Sequence, residues 1–514
     1  IGNIQTHSSL LIKIVMKNIF FISFALAVSL LSSAQQKNVL LEQSFWKTTP
    51  DVNAVKAEIA KGNSPSASTS NAFDVTVMAI NGDAPTETIQ FLLEQPGNEV
   101  TKITHDSRIY LHWAANKGNV AIVDYLIAKG SDINLEDSKG DTPITFAANN
   151  GQSNTAVYEA LFKAGIDPKK KYKDGANLLL MTIPYDKDLP LSNYFSSKGL
   201  SLKDSDNDGN TTFNYAARMG NITLLKKLLE KGVKYNDNAL LIAAQGSRRD
   251  ANPIETYKYL VEELKLKPTV TSKTGETVLH FLAGKPKQTE IIKYLLAKGV
   301  DANKADNQGN TPLMIAAARE TAVLELLLPI TKNSNLQNNK GESALTMAVK
   351  SGTPEAVVLL LNQKATINVQ DKDGNNLAFY LIQSYKPLTN PEAANASEQD
   401  PFTAKTKLLQ DKGLNLATPQ KDGNTLYHLA IAKNDVALLK KITDLNIDVN
   451  AKNNDGITAL HKAAMISKND IILKYLLANG AKKDIITEFD ESAYALAIEN
   501  ESLTKNNISV EFLK

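Results

Sequence analysis

Histidines are the side chains in this 514-residue sequence best suited to bind a metal or to move a proton near neutral pH. Of the six, four share one sequence position near the start of a predicted helix: His112, His280, His428 and His461. Stacked helix pairs would space these positions about 10 Å apart, which is too far for two of them to bind one ion. His7 and His105 lie outside the pattern. We therefore predict structural roles for the four histidines and no metal site.

The sequence also lacks the local patterns of common catalytic centres. It contains no cysteine, and hence no thiolate nucleophile or thiolate metal ligand. No Gly-x-Ser-x-Gly turn, phosphate-binding glycine loop or His-Glu-x-x-His helix occurs. The acidic stretch from Asp204 to Asp208 matches the first half of a calcium loop, but no glutamate stands at the twelfth position, where such a loop needs one. We predict a protein that is not an enzyme, with no catalytic residue, cofactor or metal.

The elements that would hold these side chains repeat along the sequence. A glycine followed closely by an apolar helix start recurs about every 33 residues, at Gly140, Gly175, Gly209, Gly275, Gly309, Gly341, Gly374, Gly423 and Gly456. One interval is two periods long, and another contains an insertion of about half a period. A fixed period in this range indicates stacked helical units that bury their apolar faces against one another.

Residues inside each unit have recognisable roles. Thr311 can cap a first helix with its hydroxyl, and Pro312 suits the first helical position. Ala316 is small enough to let neighbouring helices approach closely. Leu295 belongs to the apolar stripe of a second helix, and Gly299 can end that helix in a left-handed conformation. This order of residues resembles the ankyrin repeat.

The resemblance implies an all-α ankyrin-repeat solenoid of about 13–14 helix-turn-helix units with short β-hairpin fingers, over residues 35–514. It also implies that the shared histidine bonds to the backbone of a neighbouring unit. The first unit, near 45–66, and the last, near 489–514, are degenerate, as expected for ends that face water. The insertion at about 383–402 and a long loop at 246–253 are predicted surface loops.

Residues 16–34 have the pattern of a secretory signal peptide. Lys17 provides a positive start, and residues 19–31 form an apolar run too short to span a bilayer. Ser32 and Ala34 are the small residues that precede a cleavage site. We expect cleavage after Ala34, with residues 1–15 as an over-extended start. This pattern, together with the lack of cysteine, predicts an exported bacterial protein that is periplasmic or secreted.

Charge is nearly balanced, with 57 basic and 55 acidic residues. A balance of this kind, with no basic stripe evident in the sequence, argues against nucleic acid as a partner. No segment after the leader is apolar enough to span a membrane. We expect a monomer that binds a protein of unknown identity.

The resemblance places protein binding on the concave side of the stack, formed by finger tips and first helices. Its exposed variable positions are the two residues before each glycine, the one after it, and the two after the alanine pair. Trp113 is either a core residue or a groove-lining anchor. The predicted partner-binding residues are Trp113, Ser138, Lys139, Asp141, Asn149, Asn150, Asn207, Asp208, Arg218, Met219, Asn307, Gln308, Arg319, Asn339, Lys340, Lys350, Asn454, Asp455 and Met465.

Three functions remain open at this point. The first is a non-catalytic protein-interaction scaffold in the bacterial cell envelope. The second, by analogy with exported ankyrin proteins that resemble this one, is an accessory factor for a catalase or another enzyme of oxidative-stress defence. The third is an inhibitor or docking protein that acts through the insertion at 383–402.

Overall fold

The computed structural model describes residues 37–247, 251–387 and 400–514. The predicted start and leader, most of the insertion, and residues 248–250 of the long loop lie outside the described residues. The chain divides into two compact units, Ile1–Asn207 and Asp208–Lys514. Both are built from antiparallel helix pairs, and each is considered separately.

The described part of the first unit contains five helix pairs. In each pair a first helix is followed by a second helix, and the first helices of successive pairs pack against each other. The pairs are Gln43–Trp46 with Val52–Ala60, Val75–Asn81 with Thr86–Leu93, Tyr110–Lys117 with Val120–Ala128, Pro143–Asn149 with Thr155–Lys163, and Leu178–Thr182 with Pro190–Ser197.

The second unit contains nine helix pairs among its described residues. They are Thr212–Ala216 with Ile222–Glu230, Asn238–Gln245 with Ile254–Lys258, Val278–Leu282 with Thr289–Ala297, Pro312–Arg319 with Thr321–Leu327, Ala344–Ser351 with Pro354–Asn362, Leu377–Ser384 with Pro401–Asp411, Leu426–Ile431 with Val436–Thr443, Ala459–Ile466 with Ile471–Ala478, and Ala493–Glu499 with Glu501–Lys505. Together with the first unit, these pairs confirm the predicted all-α repeat architecture.

Local sequence sets where the helices begin and end. Thr311 accepts a hydrogen bond from the Met314 N–H, with Pro312 at the first helical position. Ser343 caps the next first helix in the same way through the Thr346 N–H. A cap of this type stabilises a helix by about 1 kcal/mol. Gly299, at φ +90°, follows the helix Thr289–Ala297, where a residue with a Cβ atom would be strained.

Apolar residues hold the pairs together by packing against neighbouring pairs. Leu295 and Leu360 have no exposed surface, and Ala316 and Ala317 are almost completely buried. The first helix Pro312–Arg319 packs along the first helix of the next pair, and other first helices do the same. Each pair therefore depends on its neighbours to shield its apolar side.

The predicted β-hairpin fingers differ in detail from the structure. Antiparallel pairing within the described fingers is limited to single bridges, Ser68 with Asp74, Thr271 with Thr277, Gln337 with Ser343 and Ile486 with Ser492. Side chains supply hydrogen bonds inside the turn. Asp306 Oδ1, for example, accepts from the N–H groups of Gln308 and Asn310. An Asx turn of this kind needs no long strands.

Two second helices depart from regular geometry. After Ile254–Lys258 the chain continues as a wide π turn at Tyr259–Glu263, in which the Leu264 N–H donates to the Tyr259 carbonyl at 3.1 Å. Leu189 adopts φ +67° immediately before Pro190 and the helix that this proline starts. None of the described helices is long and apolar enough to cross a bilayer.

Candidate functional site: the finger and first-helix face

Four buried histidines join successive repeats. His280 Nδ1 accepts from the Thr277 N–H at 3.0 Å, which fixes the ring at the start of its own helix. Its Nε2 lies 3.1 Å from the carbonyl oxygen of Asn310 in the next repeat. This pair of bonds assigns the neutral tautomer with hydrogen on Nε2. Burial lowers the pKa of His280, against an opposing effect of the Asn310 carbonyl.

The other three histidines repeat this arrangement. The acceptors are the carbonyl oxygens of Asp141, Ile457 and Ile485, for His112, His428 and His461 respectively. The distances are 3.0, 2.9 and 3.0 Å. All four histidines are therefore used in holding the stack, as predicted.

Neighbouring fingers are hydrogen-bonded to one another through the backbone. The Asn307 N–H donates to the Thr274 carbonyl at 2.8 Å, and the Asn339 N–H donates to the Gln308 carbonyl at 2.8 Å. In the first unit, the Ser138 N–H donates to the Asp106 carbonyl at 2.8 Å. The finger tips thus form a connected edge in each unit.

Asparagine side chains at the finger tips reinforce the same edge. Asn339 Nδ2 donates to the Asn307 carbonyl at 2.9 Å, and Asn307 Nδ2 donates to the Lys273 carbonyl at 3.1 Å. Asn454 Nδ2 donates to the Lys421 carbonyl at 3.0 Å. These three residues were predicted to contact a partner, but their amide groups are already bonded to the preceding finger. Their first role is to fix the spacing of the fingers.

Trp113 belongs to the core. Its side chain is almost fully buried, its Nε1 donates to Thr104 Oγ1 at 2.9 Å, and its ring meets Phe146 edge-on at 5.7 Å. Of the two roles predicted for Trp113, core residue and groove-lining anchor, its burial favours the core.

Arg108, which the sequence did not single out, organises the finger beside Trp113. Its Nε donates to Asp137 Oδ2 at 2.8 Å, and its guanidinium carbon lies 4.1 Å from the centre of the Phe146 ring. A second carboxylate, Asp106, pairs with Arg108 at 3.2 Å and also with Lys139. The hydrogen bond from Lys139 is the main cause of the lowered pKa of Asp106. The predicted contact residue Lys139 is thus held in an ion pair with the preceding finger.

Several other predicted residues are also engaged within the protein. Asn149 Nδ2 donates to the half-buried Asp141 at 2.8 Å, and Asn150 Nδ2 donates to the Phe146 carbonyl at 2.6 Å. Asp208 forms an ion pair with Lys273. Nearby, Asp204 accepts from Asn177 Nδ2 of the preceding repeat at 2.8 Å and from the Ser201 N–H of its own turn at 2.9 Å.

Most of the predicted side chains lie at the surface of the fingers and first-helix ends. Arg218 and Met219 are half-buried. The exposed residues are Ser138, Asn150, Asn207, Asn307, Gln308, Arg319, Asn339, Lys340, Lys350, Asn454, Asp455 and Met465. Lys350 pairs with Glu342. In each unit, we call this surface the finger and first-helix face.

Family comparison agrees with this geometry. A family model for ankyrin repeats matches residues 76–172, 240–338 and 427–507. These three copies together cover more than half of the chain, and they include parts of both compact units.

Curated relatives share the repeats and not the full chain. An E3 ubiquitin-protein ligase, KEG, of Arabidopsis thaliana is 24% identical over 307 residues, which is 54% of this chain and 18% of that protein. Neurogenic locus notch homolog protein 1 of Homo sapiens is 28% identical over 289 residues, covering 51% of this chain and 10% of that protein. The NF-kappa-B inhibitor delta of Mus musculus is 26% identical over 229 residues, covering 40% of this chain and 68% of that protein.

The match to the ligase and to the notch homolog therefore spans less than a fifth of either protein. The histidine bonds, the connected fingers and the family match all lead to one assignment. The chain belongs to the ankyrin repeat family.

Proposed function

We propose that this protein is a non-catalytic scaffold that binds a protein partner on its finger and first-helix face. The observation that carries the proposal is the contrast within single repeats. Lys340 is exposed between the buried residues Asn338 and Gly341, and Arg319 is exposed directly beyond the buried pair Ala316 and Ala317. The stack therefore fixes the backbone of these positions and leaves their side chains available.

The comparison with relatives supports the same function. The mouse relative is named as an inhibitor of NF-kappa-B, which is a protein target. A rigid surface also suits protein binding, because side chains that are already positioned lose less conformational entropy when a partner docks.

Photo-crosslinking from defined positions tests this proposal. A benzophenone amino acid is placed at Arg319 or Lys340 on the proposed face, and at Lys293 or Lys440 on exposed second-helix positions as controls. Irradiation in the native cells should give a discrete adduct from the first two positions only. The same adduct from all four positions, or from the second-helix positions alone, would overturn the proposed face.

We further propose that the protein is exported to the bacterial cell envelope, as a periplasmic or secreted protein. The leader-like pattern of residues 16–34 supports this location, and so does the absence of cysteine from the sequence. Cell fractionation and sequencing of the mature amino terminus test it. The proposal requires the protein in the envelope or medium, with Gln35 at its amino terminus. Recovery in the cytoplasm with residues 16–34 intact would refute it.

A further inference from the structure

The second unit carries a row of basic side chains at the ends of its first helices. In seven successive repeats, the two positions after the small-residue pair hold five cations and no acid. The cations are Arg218, Lys285, Arg319, Lys350 and Lys433. We call these five residues the basic row. The total charge of the chain gives no sign of the basic row. The row becomes evident only when equivalent positions of successive repeats are aligned.

Contacts between repeats hold three of these cations against the repeats before them. Lys285 Nζ donates to the carbonyl of Gln245, at the end of the preceding first helix. Arg319 lies over Gly284, where an added Cβ atom would come within 2.7 Å of Arg319 Cδ. Lys433 Nζ likewise donates to Gln383 Oε1, on the preceding first helix, at 3.3 Å. These three side chains each reach back over the repeat before them.

The charges in this row are incompletely neutralised. Lys350 Nζ pairs with Glu342 Oε1 at 3.3 Å, the one ion pair that the row makes among described residues, and lies 5.6 Å from the centre of the Tyr380 ring. The pKa of Lys285 is lowered, first by burial and then by the positive charge of Arg218. Like charges are therefore held near each other, and their mutual repulsion disfavours the compact state.

The fingers carry charge of both signs, because Lys340, Lys372 and Lys421 have Glu342, Asp371, Asp373 and Asp422 beside them. The excess of positive charge therefore lies in the basic row itself.

We infer that the basic row binds an acidic, extended polypeptide segment of the protein partner. This inference rests on the proposed function and specifies the chemistry of the partner. Repeats follow one another at about 10 Å, and an extended chain advances about 3.3 Å per residue. A segment with a carboxylate at every third residue would therefore meet the cations of consecutive repeats, most closely at Lys285, Arg319 and Lys350.

The surroundings of the row are a poor match for a single-stranded nucleic acid. Single strands are usually held by exposed aromatic side chains that stack on bases, but Tyr380, the ring beside Lys350, is itself buried.

Fluorescence anisotropy with a labelled synthetic peptide tests the inference. The probe carries glutamate at every third position, and the control peptide has glutamine in those positions. The full chain is compared with the triple variant Arg319→Gln, Lys350→Gln, Lys433→Gln. A matched triple variant, Lys293→Gln, Lys407→Gln, Lys440→Gln, removes the same charge from exposed second-helix positions.

The row variant should bind the acidic peptide about tenfold more weakly, as expected for the loss of three exposed ion pairs, and the matched variant should bind within about twofold of the parent. Added salt should weaken binding by the parent. Circular dichroism checks that both variants retain the parent's helix content.

Three results would overturn the inference. They are equal affinity of both triple variants, equal affinity for the glutamate and glutamine peptides, or tighter binding of a single-stranded oligonucleotide of equal charge. A crosslinked partner that the row variant still captures fully would also reject the basic row as its site. That last result would leave the proposed interaction scaffold intact, whereas loss of all face-specific crosslinks from the parent would remove the scaffold itself.

Discussion

Each buried histidine contributes to stability through two hydrogen bonds, one that Nδ1 accepts and one that Nε2 donates. Nδ1 of His428 accepts from the Thr425 N–H at 3.2 Å, while its Nε2 donates to the next repeat. A second proton would have to sit on Nδ1, where it would face an N–H donor. Burial opposes the charge as well, so the pKa of all four histidines is lowered from 6.5.

Mild acid should therefore destabilise the protein before its carboxylates titrate. A lowered folded-state pKa means that the unfolded chain binds more protons, so stability is complete above about pH 6.5 and falls as the pH drops below it. The urea midpoint measured at about pH 7.5 and pH 5.5 should decrease, and His280→Gln should reduce this decrease. Identical midpoints at the two pH values would contradict the expectation.

Lys405 is a second buried group with an unusual titration. It lies in the helix Pro401–Asp411, almost fully buried, and its Nζ donates to the Val349 carbonyl at 2.9 Å. Burial, followed by the nearby charge of Lys386, lowers its pKa to about 8. A carbonyl near the end of another first helix is thus its bonding partner.

Because of Lys405, the free energy of unfolding should increase when the pH is raised above 8. Between pH 8 and about 10 the unfolded chain holds the proton that the folded chain has released, so stability should rise with pH. Lys405→Met should flatten the rise, because methionine has similar length and no proton to lose. The measurement is the urea midpoint across this range. A rise of the same size in the variant would assign the effect to other groups.

The finger asparagines should contribute to stability, whereas the lysines beside them should not. Asn339→Ala removes the 2.9 Å bond to the Asn307 carbonyl and should cost about 1 kcal/mol. Lys340→Ala is the matched control at the next position and should change stability by less than about 0.5 kcal/mol. Chemical denaturation of both variants gives the comparison. Equal losses would show that the amide bond has no special role.

At the scale of the helix, stability comes from packing between pairs. Leu295→Ala empties a fully buried position in the helix Thr289–Ala297 and should cost about 2–5 kcal/mol. Because repeats contact mainly their neighbours, the loss should first increase hydrogen exchange in this helix and the pairs beside it. Lys293→Ala, on the exposed side of the same helix, is the control. A uniform increase across the whole chain would contradict local unfolding.

The sequence predicts the helices well because their signals are local. Thr311 and Pro312 mark a helix start within two residues, and Gly299 marks an end. Finger strands were over-predicted, since the aspartate side chain at Asp306 supplies bonds that a strand would otherwise make. The π turn at Tyr259–Glu263 has no comparable local signal.

The candidate face was predicted only in part, because side-chain bonding between repeats is not a local property. Position alone placed Arg319 and Lys340 correctly at the surface. It could not show that Asn339 is bonded to the previous finger, or that Trp113 is enclosed by Phe146 from the next repeat. These outcomes depend on residues about one period away in the sequence.

At the scale of the whole molecule, the total charge and the local distribution of charge lead to different conclusions about the chemistry of the partner. The full chain is close to neutral, whereas the basic row concentrates positive charge on one face of the second unit. Repetition produces this separation, because one substitution at the same position of each repeat builds a line across the surface. Partner preference in such a protein is set by equivalent positions and not by overall composition.

The hydrogen bonds that connect the fingers should also allow a whole repeat to be removed while the junction between fingers is kept. Asn307 and Asn339 both use the backbone N–H to reach the finger before them. Excision of residues 307–338 would bring Asn339 to the carbonyl of Thr274, the acceptor that Asn307 now uses. Such a shortened protein should retain cooperative helical structure by circular dichroism, whereas excision of half that span should lose it. By this route whole repeats can be gained or lost in evolution while the hydrogen bond between neighbouring fingers is preserved.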